Sequence, residues 1–386
     1  MEQIEKKPAQ LPLLFPVFME QFLPAPQSAF LKFVYLSYPT NQSVILFTQG
    51  LDPSEVKFCA QGDFKSKVLG TKDSTFSNKK NVLIVHCKWN RMWQDGKVVT
   101  VGSDNDHIFP STAYLHTQLM SSARGPKYRI CAMSQVKDAS KFVPDWVRYH
   151  RRIGIDHFYI FDNNSSEPYL QDPDVEYISF PWKKSQFQAL TYGVHVVRSR
   201  CQWLAVFDVD EFIYPRGAGS VPEMLAGLDR GNVGEITLKM LTMSSTDLVH
   251  CPNASVPEGY IYQRKNAKAE SKAQKSISWV EGLDGHRVHV GNFRNGCPKS
   301  RRVEVASKTG YIIHYNLQCW SDYYVSKYKY GRNGLVSDWV DAGYSQHVVP
   351  NSWERRGREF SVTDTSFRDY FLEVIGRPLP EPALVY

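Results

Sequence analysis

The chain has 386 residues, of which 42% are hydrophobic and 22% are charged, so it is long enough for two ordinary globular domains. Its net charge of +7 comes from dispersed Lys and Arg residues, and it contains neither a zinc-finger nor an RNA-binding signature, which argues against a nucleic-acid partner. The seven cysteines include no CxxC pair and no run of about 18 apolar residues occurs, which argues against a zinc site and a membrane span.

The first part of the chain differs in pattern from the rest. Short apolar runs separated by turn residues predict strands at 29–35, 43–47, 56–59 and 82–87. We therefore expect residues 1–125 to form a small all-β sandwich, joined to the rest by a linker at 121–126. Cys59 and Cys87 each end a predicted strand, which fits either a disulfide between them or two buried thiols.

From residue 128 the pattern changes to alternating strands and helices. Apolar runs predict strands at 128–133, 157–161, 175–180 and 203–207. Helical spacing of apolar residues predicts helices at 141–153 and 186–200, and Gly154 stands where the first helix would end. Repeated β-α-β units predict an α/β fold with a mostly parallel sheet covered by helices on both sides. We assign this domain to residues 126–386, with a helical extension from about residue 320.

Polar clusters follow two of the predicted strands. The sequence DNNS begins at Asp162, and the sequence DVDE begins at Asp208. In open parallel sheets ligands bind beyond the carboxyl ends of the strands, so we expect both clusters to face one crevice.

The aspartates of the second cluster suggest a metal site. Asp208 and Asp210 are two residues apart in a predicted extended segment, so their carboxylates should point to the same side and bind one divalent cation. The same alternation places Glu211 on the opposite side. A polar turn with solvated carboxylates is the alternative interpretation.

Several motifs follow one another in the order found in a known family. They are ICAM at 130–133, WVRYH at 146–150, IFDNNS at 160–165, FPWKKSQ at 180–186, FDVDEF at 207–212, KSI at 275–277, VH at 288–289 and IHY at 313–315. Together they resemble glycosyltransferase family 92 over about residues 128–330. That family includes plant β-1,4-galactan synthases and animal β-1,4-galactosyltransferases that act on core fucose.

The resemblance implies a GT-A type nucleotide-sugar-binding domain, Mn²⁺ or Mg²⁺ as cofactor, and inversion at the anomeric carbon. It implies transfer of galactose from UDP-galactose to a glycan such as β-1,4-galactan, by a homodimer in the Golgi lumen. Family members carry a type II membrane anchor, which is expected to be absent from this chain. The module at 1–125 is similar in character to the carbohydrate-binding module of the plant members.

The resemblance also assigns roles to individual residues. Asp208 and Asp210 become metal ligands, and His289 or, as the alternative, His314 completes the set. The donor's uridine and ribose are expected to contact Asp162, Asn163 and Asn164. Its phosphates or sugar are expected to contact Lys184, Gln186 and Lys275.

Inversion by single displacement needs a general base on the acceptor hydroxyl. Asp247, Glu281 and Asp284 lie in the segments where this base is expected, and the sequence does not choose among them. Phe187 stands where plant galactan synthases have a glutamate, and residues 233–275 match those enzymes poorly. The acceptor and the donor sugar therefore stay open.

Two other classes of protein share some of these features. A sugar-nucleotide nucleotidyltransferase shares the parallel sheet and the carboxylate-bound metal, but usually begins with a Gly-rich phosphate loop, which residues 128–137 lack. A catalytically inactive carbohydrate-binding protein is the other class. The intact Asp162, Asp208 and Asp210 favour the transferase.

Overall fold

The computed structural model divides the chain into two units, Met1–Gly125 and Pro126–Tyr386. It describes residues 33–39, 43–49, 51–73, 82–104, 107–109, 111, 113, 115, 126–166, 171–180, 186–226, 228, 231–265, 267, 270–324, 349 and 351–376.

The described part of the first unit contains one antiparallel sheet. Its strands are β1 (Phe33–Pro39), β2 (Ser43–Gln49), β3 (Phe58–Gln61), β4 (Phe64–Asp73), β5 (Val82–Lys88) and β6 (Thr100–Gly102). They are ordered β1-β2-β5-β4-β3-β6. The first residues of β4 pair with β3 and the later ones with β5, and the register shifts between Val68 and Gly70. The described strands are antiparallel, as expected of an all-β module, and β4 connects β3 and β6 to β5, β2 and β1; the sandwich stays a prediction.

A disulfide joins Cys59 of β3 to Cys87 of β5, so the structure has the first of the two alternatives for these cysteines. Both lie in the core of the first unit, together with Val44, Leu83 and Val101. Strand β4 lies between β3 and β5 in the sheet, so the disulfide joins two strands that are not neighbours.

Among the described residues of the second unit, strands and helices alternate regularly only in the first part. Its strands are β7 (Tyr128–Val136), β8 (His157–Asp162), β9 (Val175–Ser179), β10 (Cys201–Val206), β11 (Glu211–Tyr214), β12 (Val233–Thr242), β13 (Tyr262–Arg264), β14 (Glu270–Trp279), β15 (Leu283–His286), β16 (Gly291–Phe293), β17 (Arg301–Glu304), β18 (Tyr311–His314) and β19 (Phe360–Thr363). Its helices are α1 (Val143–Arg152), α2 (Gln186–Val197), α3 (Val221–Met224), α4 (Val256–Gly259), α5 (Trp320–Tyr323), α6 (Asn351–Gly357) and α7 (Ser366–Gly376). None of the described helices is long and apolar enough to cross a bilayer.

The main sheet of the second unit is mixed, so the predicted GT-A type α/β domain with a mostly parallel sheet is wrong. Within the described residues the order is β11-β18-β12-β14-β10-β7-β8-β9, and β17 also pairs with β12. Strands β10, β7, β8 and β9 are parallel, as their β-α-β pattern predicts. Strand β14 then joins antiparallel to both β10 and β12. The sequence prediction extended the strand–helix alternation of the first four strands to the rest of the unit, whose described part consists mainly of strands.

Helices α1 and α2 cover opposite faces of the parallel half of the sheet. Trp146 of α1 packs in one core with Trp203 and Ala205 of β10. On the other face, Gly193 of α2 lies so close to β7 that an added Cβ would be 2.2 Å from the Met133 sulfur. This two-sided burial explains why the segment before Asp208 is apolar on both faces.

Helix α1 ends as the sequence predicts. Gly154 follows the helix with φ +98°, a left-handed conformation that glycine adopts without strain. A Cβ at this position would also meet the Pro222 ring at 2.5 Å. The helix therefore stops where α3 approaches it.

Side chains of α1 hold the backbone of β11, which is the last strand on its side of the described sheet. Trp146 Nε1 donates to Glu211 O at 3.0 Å, and the Tyr149 hydroxyl donates to Ile213 O at 2.6 Å. The Ile213 N–H donates to His150 Nε2 at 3.1 Å, so Nδ1 carries the ring proton and faces the Trp146 carbonyl. Buried backbone groups need such partners, and these three bonds therefore fix the position of β11.

Neutral His150 makes the second unit sensitive to acid. Burial lowers the pKa of His150 from 6.5 to about 3, although its hydrogen bond to Trp146 O opposes this. The unfolded chain therefore takes up the proton first, and stability present above about pH 6.5 is lost progressively as the pH falls towards about 3. Between about pH 7 and pH 5 the unfolding free energy of the wild type falls. We expect this fall to be about 2 kcal/mol smaller in His150→Gln.

Urea unfolding at both pH values measures this loss. The exposed His107 provides the matched control, and His107→Gln should keep the wild-type loss. An equal loss in wild type, His150→Gln and His107→Gln would contradict the assignment.

Candidate functional site

The segment between β10 and β11 is a closed turn. The Glu211 N–H donates to Asp208 O at 3.0 Å, and the Asp208 N–H donates to Glu211 Oε2 at 2.7 Å. The expectation that Glu211 points away from the aspartates is wrong, because the alternation of an extended strand stops at Val206. The turn directs the Glu211 side chain back towards Asp208.

A buried lysine and a glutamine contact the same turn. Lys275 Nζ lies 3.2 Å from Asp208 Oδ2 and 3.1 Å from Glu211 Oε2. Gln186, the first residue of α2, donates from Nε2 to Asp208 Oδ1 at 3.1 Å. Both were predicted to contact the donor; in the structure both contact Asp208. Lys184 lies outside the described residues.

His314 lies beside the turn because of strand pairing. It is the last residue of β18 and pairs with Glu211, the first residue of β11. His314 Nε2 lies 3.9 Å from Asp210 Oδ2 and 3.6 Å from Glu211 Oε1. Ligand atoms of Asp210, Glu211 and His314 all lie within 4.8 Å of one another.

The alternative histidine, His289, is placed differently. It is exposed, and its Nδ1 lies 2.7 Å from Gln274 O. Among the described residues, the group of possible metal ligands at the turn includes His314 and not His289. Sequence motifs had ranked these two histidines in the opposite order.

Burial and close charges set the electrostatics of the turn. Burial raises the pKa of Glu211; Lys275 opposes this, while Asp208 and Asp210 raise the pKa further. Burial lowers the pKa of Lys275, but the charges and hydrogen bonds of Asp208 and Glu211 outweigh it, so that pKa is raised. The lysine is therefore a firmly protonated cation.

The donor set suits a divalent cation that accepts both oxygen and nitrogen. Two carboxylates and one imidazole converge in Asp210, Glu211 and His314. Carboxylates suit both Mg²⁺ and Mn²⁺. Because Mg²⁺ prefers oxygen ligands only, an imidazole ligand favours Mn²⁺. These residues therefore fit the implied metal, and Asp208 lies beside them in the same turn.

The carboxyl ends of β7 and β8 form a second polar region. Asn163 Nδ2 donates to Phe180 O at 2.9 Å, and Asp162 Oδ1 accepts from Ser165 N at 3.0 Å. Lys137 Nζ donates to the carbonyls of Asn163 at 3.1 Å and Asn164 at 2.8 Å. Lys137 was missed, although its place directly after a predicted strand was a usable signal.

Two residues of this region adopt unusual backbone conformations. Asp138 has φ 46° and Asn164 has φ 59°. Asp138 Oδ1 accepts from the Ser166 N–H at 2.7 Å, and the Asp138 N–H donates to Ser165 Oγ at 2.7 Å. The loops after β7 and β8 thus form one preorganised unit, which is typical of ligand sites.

The three candidate bases lie on separate segments. Asp247 is exposed; burial raises its pKa, but hydrogen bonds from the His250 ring and two backbone N–H groups together outweigh burial, so that pKa is lowered. Glu281 is exposed in a short 3₁₀ helix after β14, and Asp284 is half-buried on β15.

Comparisons with known proteins agree on one family. The sequence model of glycosyltransferase family 92 matches residues 127–369. The chain is 28% identical over 305 residues to a family 92 protein of Ricinus communis, covering 71% of this chain and 52% of the relative. It is 24% identical to family 92 proteins of Oryza sativa and Arabidopsis thaliana, covering 66% and 64% of this chain and 46% of each relative. The chain spans about half the length of the curated relatives it matches.

The placement of the two histidines gives a direct test. We expect His314→Ala to weaken Mn²⁺ binding by about ten-fold or more, because it removes one of three convergent ligands. His289→Ala is the matched control and should change the affinity by less than about two-fold, because His289 contacts a backbone carbonyl instead. Isothermal titration with Mn²⁺ measures both. Weaker binding only in His289→Ala would overturn the assignment.

Proposed function

This chain belongs to glycosyltransferase family 92, and from that premise we propose that it transfers a sugar from a nucleotide-sugar donor to a glycan acceptor. One observation carries the proposal: Asp210, Glu211 and His314 converge at the end of β10, inside the matched segment. A site for a divalent cation is what a diphosphate leaving group requires.

We propose that Asp210, Glu211 and His314 hold Mn²⁺, or Mg²⁺ as the alternative. The ion, when bound, supplies positive charge for the departing diphosphate. Gln186 holds Asp208 through its hydrogen bond and keeps that carboxylate oriented within the turn. The uridine and ribose are assigned to the loops after β7 and β8, where Asp162 and Asn163 are already ordered by hydrogen bonds.

We propose UDP-galactose as donor and a β-1,4-galactan or similar glycan as acceptor. The support is the motif order shared with the plant galactan synthases and the animal β-1,4-galactosyltransferases. The acceptor oxygen attacks the anomeric carbon on the face opposite the diphosphate. One C–O bond to the acceptor forms, the C–O bond to the diphosphate breaks, and the acceptor proton moves to Asp247, Glu281 or Asp284.

We propose the Golgi lumen as the location. Three disulfides support an oxidising compartment: Cys59–Cys87, Cys131–Cys201 and Cys251–Cys319. A homodimer stays a prediction from the family resemblance.

Turnover of UDP-sugars tests the proposal. We expect Mn²⁺-dependent release of UDP from UDP-galactose with galactan oligosaccharides, and a slower reaction with UDP-glucose. Asp210→Asn should lower the rate by about 100-fold or more, because it weakens charge stabilisation at the leaving group. Asp369→Asn, at an exposed position of α7, is the control and should keep the wild-type rate. Absence of binding and turnover with every UDP-sugar, with or without Mn²⁺, would end the proposal.

The base is identified by comparing three variants. Of Asp247→Asn, Glu281→Gln and Asp284→Asn, one should lower kcat by about 100-fold or more while keeping the wild-type affinity for UDP with Mn²⁺. Steady-state kinetics and calorimetry separate these two effects. Three variants with near-wild-type kcat would show that the base lies elsewhere.

A further inference from the structure

Lys275 of β14 lies near the end of β10, where the chain leaves the sheet and forms the turn at residues 208–211, called the acidic turn below. The last pair between β10 and β14 joins Val206 to Ser276, and Lys275 is the next residue of β14. On its other side Lys275 pairs with Leu238 of β12. Pairing of β14 with β12 at Lys275 and with β10 at Ser276 therefore fixes the Lys275 backbone close to the start of the acidic turn.

We propose that Lys275 is the resident counter-ion of the acidic turn, a positioning residue for Asp208 and Glu211 and not a ligand of the donor phosphates. In the protein without metal, its ammonium group holds the carboxylates together. With metal bound, the same positive charge moderates the affinity for the cation; this second part rests on the proposed function.

Buried charges in the turn need a partner. The side chains of Lys275 and Glu211 are only 4% and 1% exposed. A buried charge without a partner is strongly destabilising, whereas an opposite charge at hydrogen-bond distance offsets much of the cost. Lys275 meets this need for two carboxylates at once, with contacts of 3.2 Å and 3.1 Å.

The ammonium group of Lys275 is not accessible to a donor phosphate. An ammonium group that is to bind a donor phosphate must face the solvent-filled crevice, but the Lys275 side chain is almost completely buried. Reaching a phosphate would require breaking its contacts to Asp208 and Glu211. Both carboxylates would then lose their counter-ion in the buried turn.

The two oxygens of the Glu211 carboxylate face different neighbours. Oε2 contacts Lys275 and the Asp208 N–H, while Oε1 lies 3.6 Å from His314 Nε2 on the side of the proposed metal ligands. The ammonium group and a bound cation would thus lie on opposite sides of one carboxylate. The positive charges of the ammonium group and of a bound cation repel each other across this carboxylate. Lys275 therefore lowers the affinity of the site for the cation while it orders the ligands.

Lys275→Met tests both parts, because it keeps the apolar stem and removes the charge. With chelator present, we expect Tm to fall by about 5 °C or more. In calorimetry with Mn²⁺ alone, the affinity should rise by about ten-fold. Saturating Mn²⁺ should restore much of the lost Tm. Lys239→Met is the matched control: Lys239 lies on β12 in an ion pair with Glu304, and its loss should change neither quantity appreciably.

A second variant keeps the test decisive if Lys275→Met fails to fold. Glu211→Gln combined with Lys275→Met removes both charges of the closest pair and should recover a substantial part of the Tm lost by Lys275→Met alone. No recovery in the double variant, or an unchanged Tm in Lys275→Met, overturns the counter-ion role. Unchanged Mn²⁺ affinity with weaker UDP binding in Lys275→Met makes the residue a phosphate ligand and also overturns the proposal.

Failure of the proposed function is recognised separately. If the wild-type protein binds neither Mn²⁺ nor UDP, the metal-dependent transferase is excluded. The Tm of Lys275→Met and of the double variant in chelator still decides the counter-ion role.

Discussion

The buried carboxylate of Glu211 connects most of the parts of the second unit. Its Oε2 accepts from the Asp208 N–H, which closes the turn, and contacts Lys275 of β14, whose positive charge compensates that of the carboxylate. Its backbone carbonyl accepts from Trp146 of α1, and its backbone pairs with His314 of β18. Because a buried glutamate needs all its polar atoms satisfied, these contacts depend on one another. The placement of the proposed metal ligands follows from this single requirement.

The mixed sheet is what assembles the site. Its parallel half ends in the turn at Asp208 and in the loops after β7 and β8, as expected for strands whose carboxyl ends face one crevice. Its other half contributes Lys275 from β14 and His314 from β18. Strand β18 runs antiparallel to β11 and parallel to β12, which places the end of β18 beside the start of β11. A sheet built only of parallel β-α-β units would not explain this meeting of elements.

Local sequence pattern predicts what depends on near neighbours. The parallel strands, helix α1 with Gly154 at its end, and the polar residues at Asp162 and Asp208 follow from periodicity and turn chemistry. The direction of the Glu211 side chain did not follow, because alternation applies to an extended strand and this one stops at Val206. The neighbours of β14 and β18 could not be predicted either, because pairing between distant strands leaves no local period in the sequence. The contact of Lys275 with the acidic turn and the choice of His314 over His289 depend on that pairing.

We propose that the turn after β10 binds a divalent cation through Asp210, Glu211 and His314. The most direct test is anomalous diffraction at the manganese edge from crystals grown with Mn²⁺ and UDP. We expect a peak within bonding distance of the Asp210 carboxylate and the His314 ring, with the UDP diphosphate on its open side. A peak bound by His289 and remote from His314, or no peak at the turn while UDP is bound, would contradict it.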